Sequence, residues 1–473
     1  MKRELTGMAM TILLLGTASC SQNETDAIDA GQTPVSKAVT LGVNVGVNTG
    51  AKTKSAVSGT KITYKEAEYA TTDHAIGLVV SNEDVSGYYA AETPNFEIGY
   101  SYTAPTVDIC FMGDKDGANW KAVDMSGTFP TNAAAEKVKT FYLDKNRGQV
   151  FAYFPFDKSK KTKATIAGNK VTYPIDIIAT TSDKLGVTEA NSAQVFSGAA
   201  WAANTNKNTV NILPKETDYL YFVPTDGNGR YVNNGTKPEA DGTVTPPDGT
   251  NTDANPGNNI SLTMKHALSM VTFRLYDKDL VATPPTAANS ATTLGSVKSF
   301  KIENVAAADG PLKIGATTMD LSVTGETSPI DVTAGTYVSG AIERTLDKYL
   351  LIRARQTGSK DAGGVAEKAS ASTYLFAEGG DGRDAANYIS TLVYPITTMD
   401  ANTVKVTFDI LEPGATASKS FPLTTVLTVP DDGGWLPNKN YIYTFSVSKK
   451  GLNVVDVTVT DWESVEVGGV VDL

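Results

Sequence analysis

Reactive side chains are scarce in this 473-residue chain, which has two cysteines, Cys20 and Cys110, and two histidines, His74 and His266. The histidines stand far apart, and neither has a cysteine or carboxylate at metal-ligand spacing, so the sequence offers no metal centre and no histidine-based catalysis. It also has no glycine-rich phosphate loop between a strand and a helix and no nucleophile elbow, so no catalytic residue is assigned and no cofactor is expected. Paired acids occur at Asp431-Asp432 and around Asp381 and Asp384. Both sets sit beside glycine and read as turns, the first as a hairpin turn before Trp435, and neither has calcium-loop spacing.

Positive charge is in deficit: 41 Lys+Arg against 52 Asp+Glu leave a net charge of −11. Such a surface repels phosphate backbones, which excludes nucleic acid as a partner. Long apolar runs are missing too, because the run at 8–15 is of signal-peptide length and too short to span a bilayer. Helical periodicity is confined to a short stretch at 133–139, which argues against the strand-helix alternation of an α/β enzyme.

What the chain does have begins with an export signal. Lys2 and Arg3 precede the apolar run, and Gly16-Thr17-Ala18-Ser19-Cys20 resembles a lipobox, which makes Cys20 the expected site of acylation by a fatty chain such as palmitate. Cys110 is then alone. It lies in an apolar run and reads as a buried, inert thiol, so no disulfide forms within the mature chain. Residues 21–37 are a polar tether to outer-membrane lipid.

Val39, Leu41, Val43, Val45 and Val47 alternate with Thr40, Gly42, Asn44 and Gly46, the period-2 pattern of a half-buried strand over 38–48. A small, basic loop follows at 49–55, in which Lys52 and Lys54 are open to a trypsin-like protease. Further strands are expected at 75–80, 96–102, 107–112, 148–156, 349–353 and 404–410, each bounded by turn residues. The fold class is all-β.

At 473 residues, two domains are expected. The Gly-, Pro- and Asn-rich stretch 226–259 is read as the linker or loop between a first domain, 38–225, and a second, 260–473. A second such stretch at 357–372 reads as a surface loop. In 260–275 the apolar residues change parity, from Leu262, Met264, Leu268 and Met270 to Val271, Phe273 and Leu275, which predicts a β-bulge near 269–271. The chain ends in a strand-like tail with Val465, Val467, Val470, Val471 and Leu473.

Several motifs resemble the fimbrillin family of type V pilins and Mfa-like surface lipoproteins. They are Ala18-Ser19-Cys20, Phe151-Ala152-Tyr153-Phe154-Pro155, Asp218-Tyr219-Leu220-Tyr221, Lys265-His266-Ala267-Leu268-Ser269, Trp435 to Tyr441 with Tyr443, and Val457 to Trp462. The resemblance implies two β-sandwich domains of transthyretin-like, Greek-key type in a structural subunit of a cell-surface pilus. A protease removes the N-terminal strand, here 38–48, and a neighbouring subunit's C-terminal strand, here 464–473, fills the groove. Removing a strand exposes unpaired backbone and an apolar trough, a template for another chain. The contact is heterologous and therefore propagates head to tail. Members cut by arginine-specific proteases carry Arg in the processing loop, whereas this chain offers Lys52 and Lys54. A different trypsin-like protease acts, or the chain stays uncut as a lipid-held anchor or accessory subunit. A rival reading is a surface adhesin that binds host protein or glycan without polymerising, with Tyr88, Tyr89, Tyr100, Tyr102 and Trp120 as stacking aromatics.

Overall fold

The computed structural model describes residues 39–47, 56–58, 61–63, 76–89, 109–113, 120–122, 141–156, 164–177, 211–212, 214, 216–224, 229–235, 237–238, 244–245, 257–281, 296–306, 310–324, 327–331, 338–351, 353–356, 388–411, 420–448 and 451–461. Among them every regular element is a strand.

In chain order the strands are β1 (Val39–Thr40), β2 (Gly42–Val47), β3 (Ala56–Ser58), β4 (Lys61–Thr63), β5 (Ile76–Asn82), β6 (Ile109–Gly113), β7 (Trp120–Ala122), β8 (Tyr142–Leu143), β9 (Gly148–Phe154) and β10 (Thr165–Ala167). Then come β11 (Lys170–Ile177), β12 (Asn211–Ile212), β13 (Leu220–Phe222), β14 (Tyr231–Val232), β15 (Lys237–Pro238), β16 (Val244–Thr245), β17 (Asn259–His266), β18 (Ser269–Val281), β19 (Ser296–Asn304) and β20 (Lys313–Asp320). The last are β21 (Ile330–Asp331), β22 (Val338–Ser339), β23 (Ala341–Leu351), β24 (Arg353–Gln356), β25 (Tyr388–Val393), β26 (Val404–Leu411), β27 (Ser420–Val426), β28 (Lys439–Ser448) and β29 (Gly451–Asp461).

An eight-stranded sheet runs β2-β17-β13-β9-β5-β6-β7, with β14 also on β9. Both of its faces are covered, and the sequence pattern shows why. Ile76, Leu78 and Val80 enter one core with Val150, Ala152 and Phe154, while Val79, Phe151 and Tyr153 enter the other. Successive residues of a strand point to opposite faces, so a continuous apolar run is what a doubly buried strand requires. On the second face Tyr153 stacks on Tyr173 of β11 with ring centroids 4.0 Å apart. Gly77 makes room for that ring, since a Cβ there would lie 2.0 Å from Tyr153.

A six-stranded sheet, β12-β25-β18-β28-β29 with β24 on β18, packs against the four-stranded β23-β19-β26-β27. Phe273 meets Phe300 and Phe408 edge-on at 5.5 and 5.4 Å, joining β18 to β19 and β26. Sheet packed on sheet around one apolar layer is a β-sandwich arrangement. A fourth sheet, β10-β11-β20-β21 with β22 on β20, adjoins both halves.

Several expectations are corrected. The parity change in 260–275 is not a bulge within one strand: β17 ends at His266, Ala267 and Leu268 bend, and β18 begins at Ser269 in a different sheet. Ile260, Leu262 and Met264 lie in the smaller core, and Val271, Phe273 and Leu275 lie in the larger one. The chain thus changes cores between Met264 and Ala267, while the parity change from Met270 to Val271 falls inside the larger core, which holds Leu268, Met270 and Val271 alike. Pairings also cross the expected boundary at 226–259, since β17 belongs to the eight-stranded sheet, β11 pairs with β20, and β12 pairs with β25. Within that polar stretch Arg230 and Val232 are buried, because β14 adds to β9. The turn before Trp435 joins β27 to β28, which lie in different sheets, so it links sheets and closes no hairpin. The expected helix at 133–139, the strand at 96–102 and the loop at 357–372 lie outside the described residues.

Candidate strand-exchange site

The opening segment changes partner part-way along. Val39 and Thr40 pair antiparallel with Leu143 and Tyr142 of β8, and Leu41 N–H donates to Phe141 O at 2.8 Å. From Gly42 onward the segment pairs instead with β17, in parallel, with Val43, Val45 and Val47 at the register positions of Ile260, Leu262 and Met264. β2 is thereby an end strand of the eight-stranded sheet among the described strands. The sheet curls so that β7, its other end, comes within 8 Å of β2 between Cα atoms, while no ladder joins the two among the described residues.

Leu41, at the switch between partners, is 8% exposed and belongs to the smaller core with Phe141, Leu143, Ile260, Leu262 and Met264. Burying a leucine of this kind contributes about 1.5–3 kcal/mol. Without the segment, the edge of β17 and these side chains would form an apolar trough flanked by unpaired backbone.

Of the other sequence-derived positions, Cys20, Lys52, Lys54, Val465, Val467, Val470, Val471 and Leu473 lie outside the described residues. Among the adhesin aromatics, Tyr89 is a core residue, 3% exposed, with its hydroxyl 2.9 Å from Asp144 Oδ1. That burial removes it from any stacking role. Tyr88 is half-buried and donates to Ala164 O at 3.3 Å, and Tyr100 and Tyr102 lie outside the described residues. Trp120 is in β7.

Motifs far apart in the chain meet behind the trough. Leu220 pairs with both Phe154 and His266. His266 Nδ1 lies 2.9 Å from Asp218 Oδ1, with both side chains buried. The backbone N–H of His266 donates to Asn438 Oδ1 at 3.1 Å, and Asn438 N–H donates to Leu268 O at 3.1 Å. Ser269 Oγ donates to the carbonyls of Trp435 and Leu436 at 3.0 and 2.7 Å. The bend from β17 to β18 is thus clamped to the turn before β28, whose Asn438 takes a left-handed backbone with φ of 61°. Such a conformation suits asparagine better than bulkier residues.

No family model matches the sequence, and no curated protein matches it. The chain is similar to solved fimbrial and cell adhesion proteins of Bacteroidales. One is a fimbrial protein of Bacteroides vulgatus, 10% identical, with a TM-score of 0.44 over 89% of this chain and 99% of that one. Another is a candidate cell adhesion protein of Bacteroides uniformis, 14% identical, with a TM-score of 0.38 over 90% of this chain and 99% of that one. The tip fimbrial protein Mfa3 of Porphyromonas gingivalis, in a C-terminally truncated form, is 9% identical with a TM-score of 0.29 over 83% of this chain and 96% of that one.

Sequence reasoning missed two buried arginines, Arg344 and Arg230. Arg344 Nε donates to Glu216 Oε1 at 2.8 Å, and that carboxylate also accepts from Thr391 Oγ1 at 2.7 Å and Leu392 N–H at 3.2 Å. Arg230 donates to the carbonyls of Phe222 and Val323 at 3.1 and 3.0 Å and lies over the rings of Phe151 and Phe222 at 4.8 and 5.1 Å. Burial pushes its guanidinium down to about 10, which still leaves it charged at neutral pH. Neither was readable in advance, because Glu216 lies 128 residues from Arg344, and Val150 and Val323 lie 80 and 93 residues from Arg230.

Proposed function

We propose that this chain is a structural subunit of a cell-surface fimbria, exported as a lipoprotein acylated at Cys20 and assembled by donor-strand exchange. A trypsin-like protease cuts after Lys52 or Lys54, the segment 38–48 leaves with its lipid, and the tail 464–473 of a second subunit takes its place. One observation carries the reading: among the described residues, the opening segment from Val39 to Val47 is paired along one flank at a time, first with β8 and then with β17. A strand held this way can leave without opening the ladders that join β17, β13, β9 and β5. A strand paired on both flanks could not.

The apolar surface exposed would draw in a replacement, with each buried Val or Leu contributing about 1.5–3 kcal/mol before the costs of association. The groove and the tail are different surfaces, so the joint propagates.

Trypsin treatment of the full mature chain tests this. Loss of residues before Ser55 should give heat-sensitive ladders on a denaturing gel, and deletion of 464–473 should abolish them. A processed chain that stays monomeric, or ladders that persist without the tail, would overturn the assembly mechanism.

A further inference from the structure

A cleft of about 370 Å³ opens between the segment after β19 and the turn between β25 and β26. Its apolar wall is Val305, Ala306 and Pro311, and its polar wall includes Thr398, Asp400 and Asn402. The volume falls in the range of ligand-binding clefts.

The walls are held in place before any ligand arrives. Asn304, 5% exposed, donates through Nδ2 to Leu312 O at 2.9 Å and accepts from Leu312 N–H at 2.9 Å. Val305 N–H donates to Thr403 O at 2.8 Å, which ties one wall to the other. Ser339 Oγ donates to Gly310 O at 3.0 Å and accepts from Lys313 Nζ at 2.8 Å, which fixes β22 beside the cleft.

A second observation marks the same place. The large hydrophobic side chains most exposed among the described residues are Val305 at 46% and Val338 at 55%. Val305 lines the cleft, whereas Val338 pairs with Ile314, one step out of register from the Lys313–Ser339 pair, and so lies on the other face of that ladder. Val305 thus offers an apolar side chain at a concave surface, on which a ligand can pack.

We propose that this cleft binds a neutral saccharide, one or two rings in size. Lys313 and Asp400 balance in charge, so the lining favours neither an anion nor a cation. The Asp400 carboxylate and Asn402 amide can accept from and donate to neighbouring sugar hydroxyls, while Val305 and Pro311 pack on the C–H face of a ring. Such an adhesive site does not depend on strand exchange.

The test applies the full mature chain to an array of neutral hexose- and N-acetylhexosamine-terminated oligosaccharides, with sialylated and sulfated counterparts beside them. Neutral glycans should bind, and the D400A/N402A double variant should lose about tenfold or more in affinity, the scale of a lost hydrogen bond to a charged group. V305D should weaken binding as well; V305D and D400A alone should keep the parent's melting temperature because those side chains are exposed, while N402A adds a modest loss because Asn402 takes a left-handed backbone with φ of 64°. Absence of saccharide binding, preference for the acidic glycans, or parental affinity in D400A/N402A would overturn the proposal.

Discussion

Trp435 Nε1 donates to Tyr443 Oη at 3.0 Å, and the same phenol donates to Thr428 O at 3.0 Å. Both rings are fully buried, and burial pushes the Tyr443 phenol well above its ordinary value of 10.0. Tyr441 is raised for the same reason, with the Asp432 carboxylate adding to the effect. The folded state therefore keeps protons that the unfolded chain releases near pH 10. These phenols contribute stability that is fully present below that pH and lost progressively above it. Urea denaturation stepped from neutral to strongly alkaline pH should show this fall, and Tyr443→Phe should reduce its slope. At neutral pH that variant should cost about 1–3 kcal/mol, because the Trp435 N–H loses its acceptor.

Glu216 and Arg344 make the next prediction. Glu216→Gln removes the counter-charge from a buried guanidinium and should cost about 3–5 kcal/mol in denaturant unfolding. Changing the arginine as well, in E216Q/R344M, should recover part of that loss. A glutamine oxygen in place of Oε2 still accepts from Leu392 N–H, its amide nitrogen can donate to Thr391 Oγ1, and no lone charge stays buried. A double variant as unstable as the single would contradict this account.

Leu41→Ala should loosen the opening segment by about 2 kcal/mol or more. Hydrogen exchange gives a local readout: amides of β17 should lose protection, while those of β18 from Met270 to Leu275 stay as slow as in the parent. Equal loosening of both strands would show that the segment supports the whole fold instead of lying along its edge.

Asp218→Ala takes a charged acceptor away from His266 inside the protein and should cost about 1.5–3 kcal/mol by thermal or urea unfolding. Combined with Asn438→Ala, the loss should be non-additive, since both side chains hold the same residue.

Much of the strand content was legible because period-2 patterning is local. The expected strands at 75–80 and 404–410 correspond to β5 and β26, and the alternation of Tyr441, Tyr443, Phe445 and Val447 corresponds to β28. Partner choice was not legible. The parity change near Ser269 was visible, but an apolar phase does not say which core a residue enters. Arg230 was hidden because the Gly, Asn and Pro around it look like loop chemistry, and burial there depends on β9, some 80 residues away. For the candidate site, the alternating valines and Leu41 could be read directly, but the partner switch at Leu41 could not.

The bend at Ala267–Leu268 makes β17 and β18 one uninterrupted length of backbone. A tug on the rim of the eight-stranded sheet is then transmitted through covalent bonds to a strand flanked on both sides, antiparallel by β25 and parallel by β28. There the force acts along the strands, so many hydrogen bonds resist together in shear and do not unzip in turn. Tension entering along β17 is delivered to a strand held by ladders on both flanks.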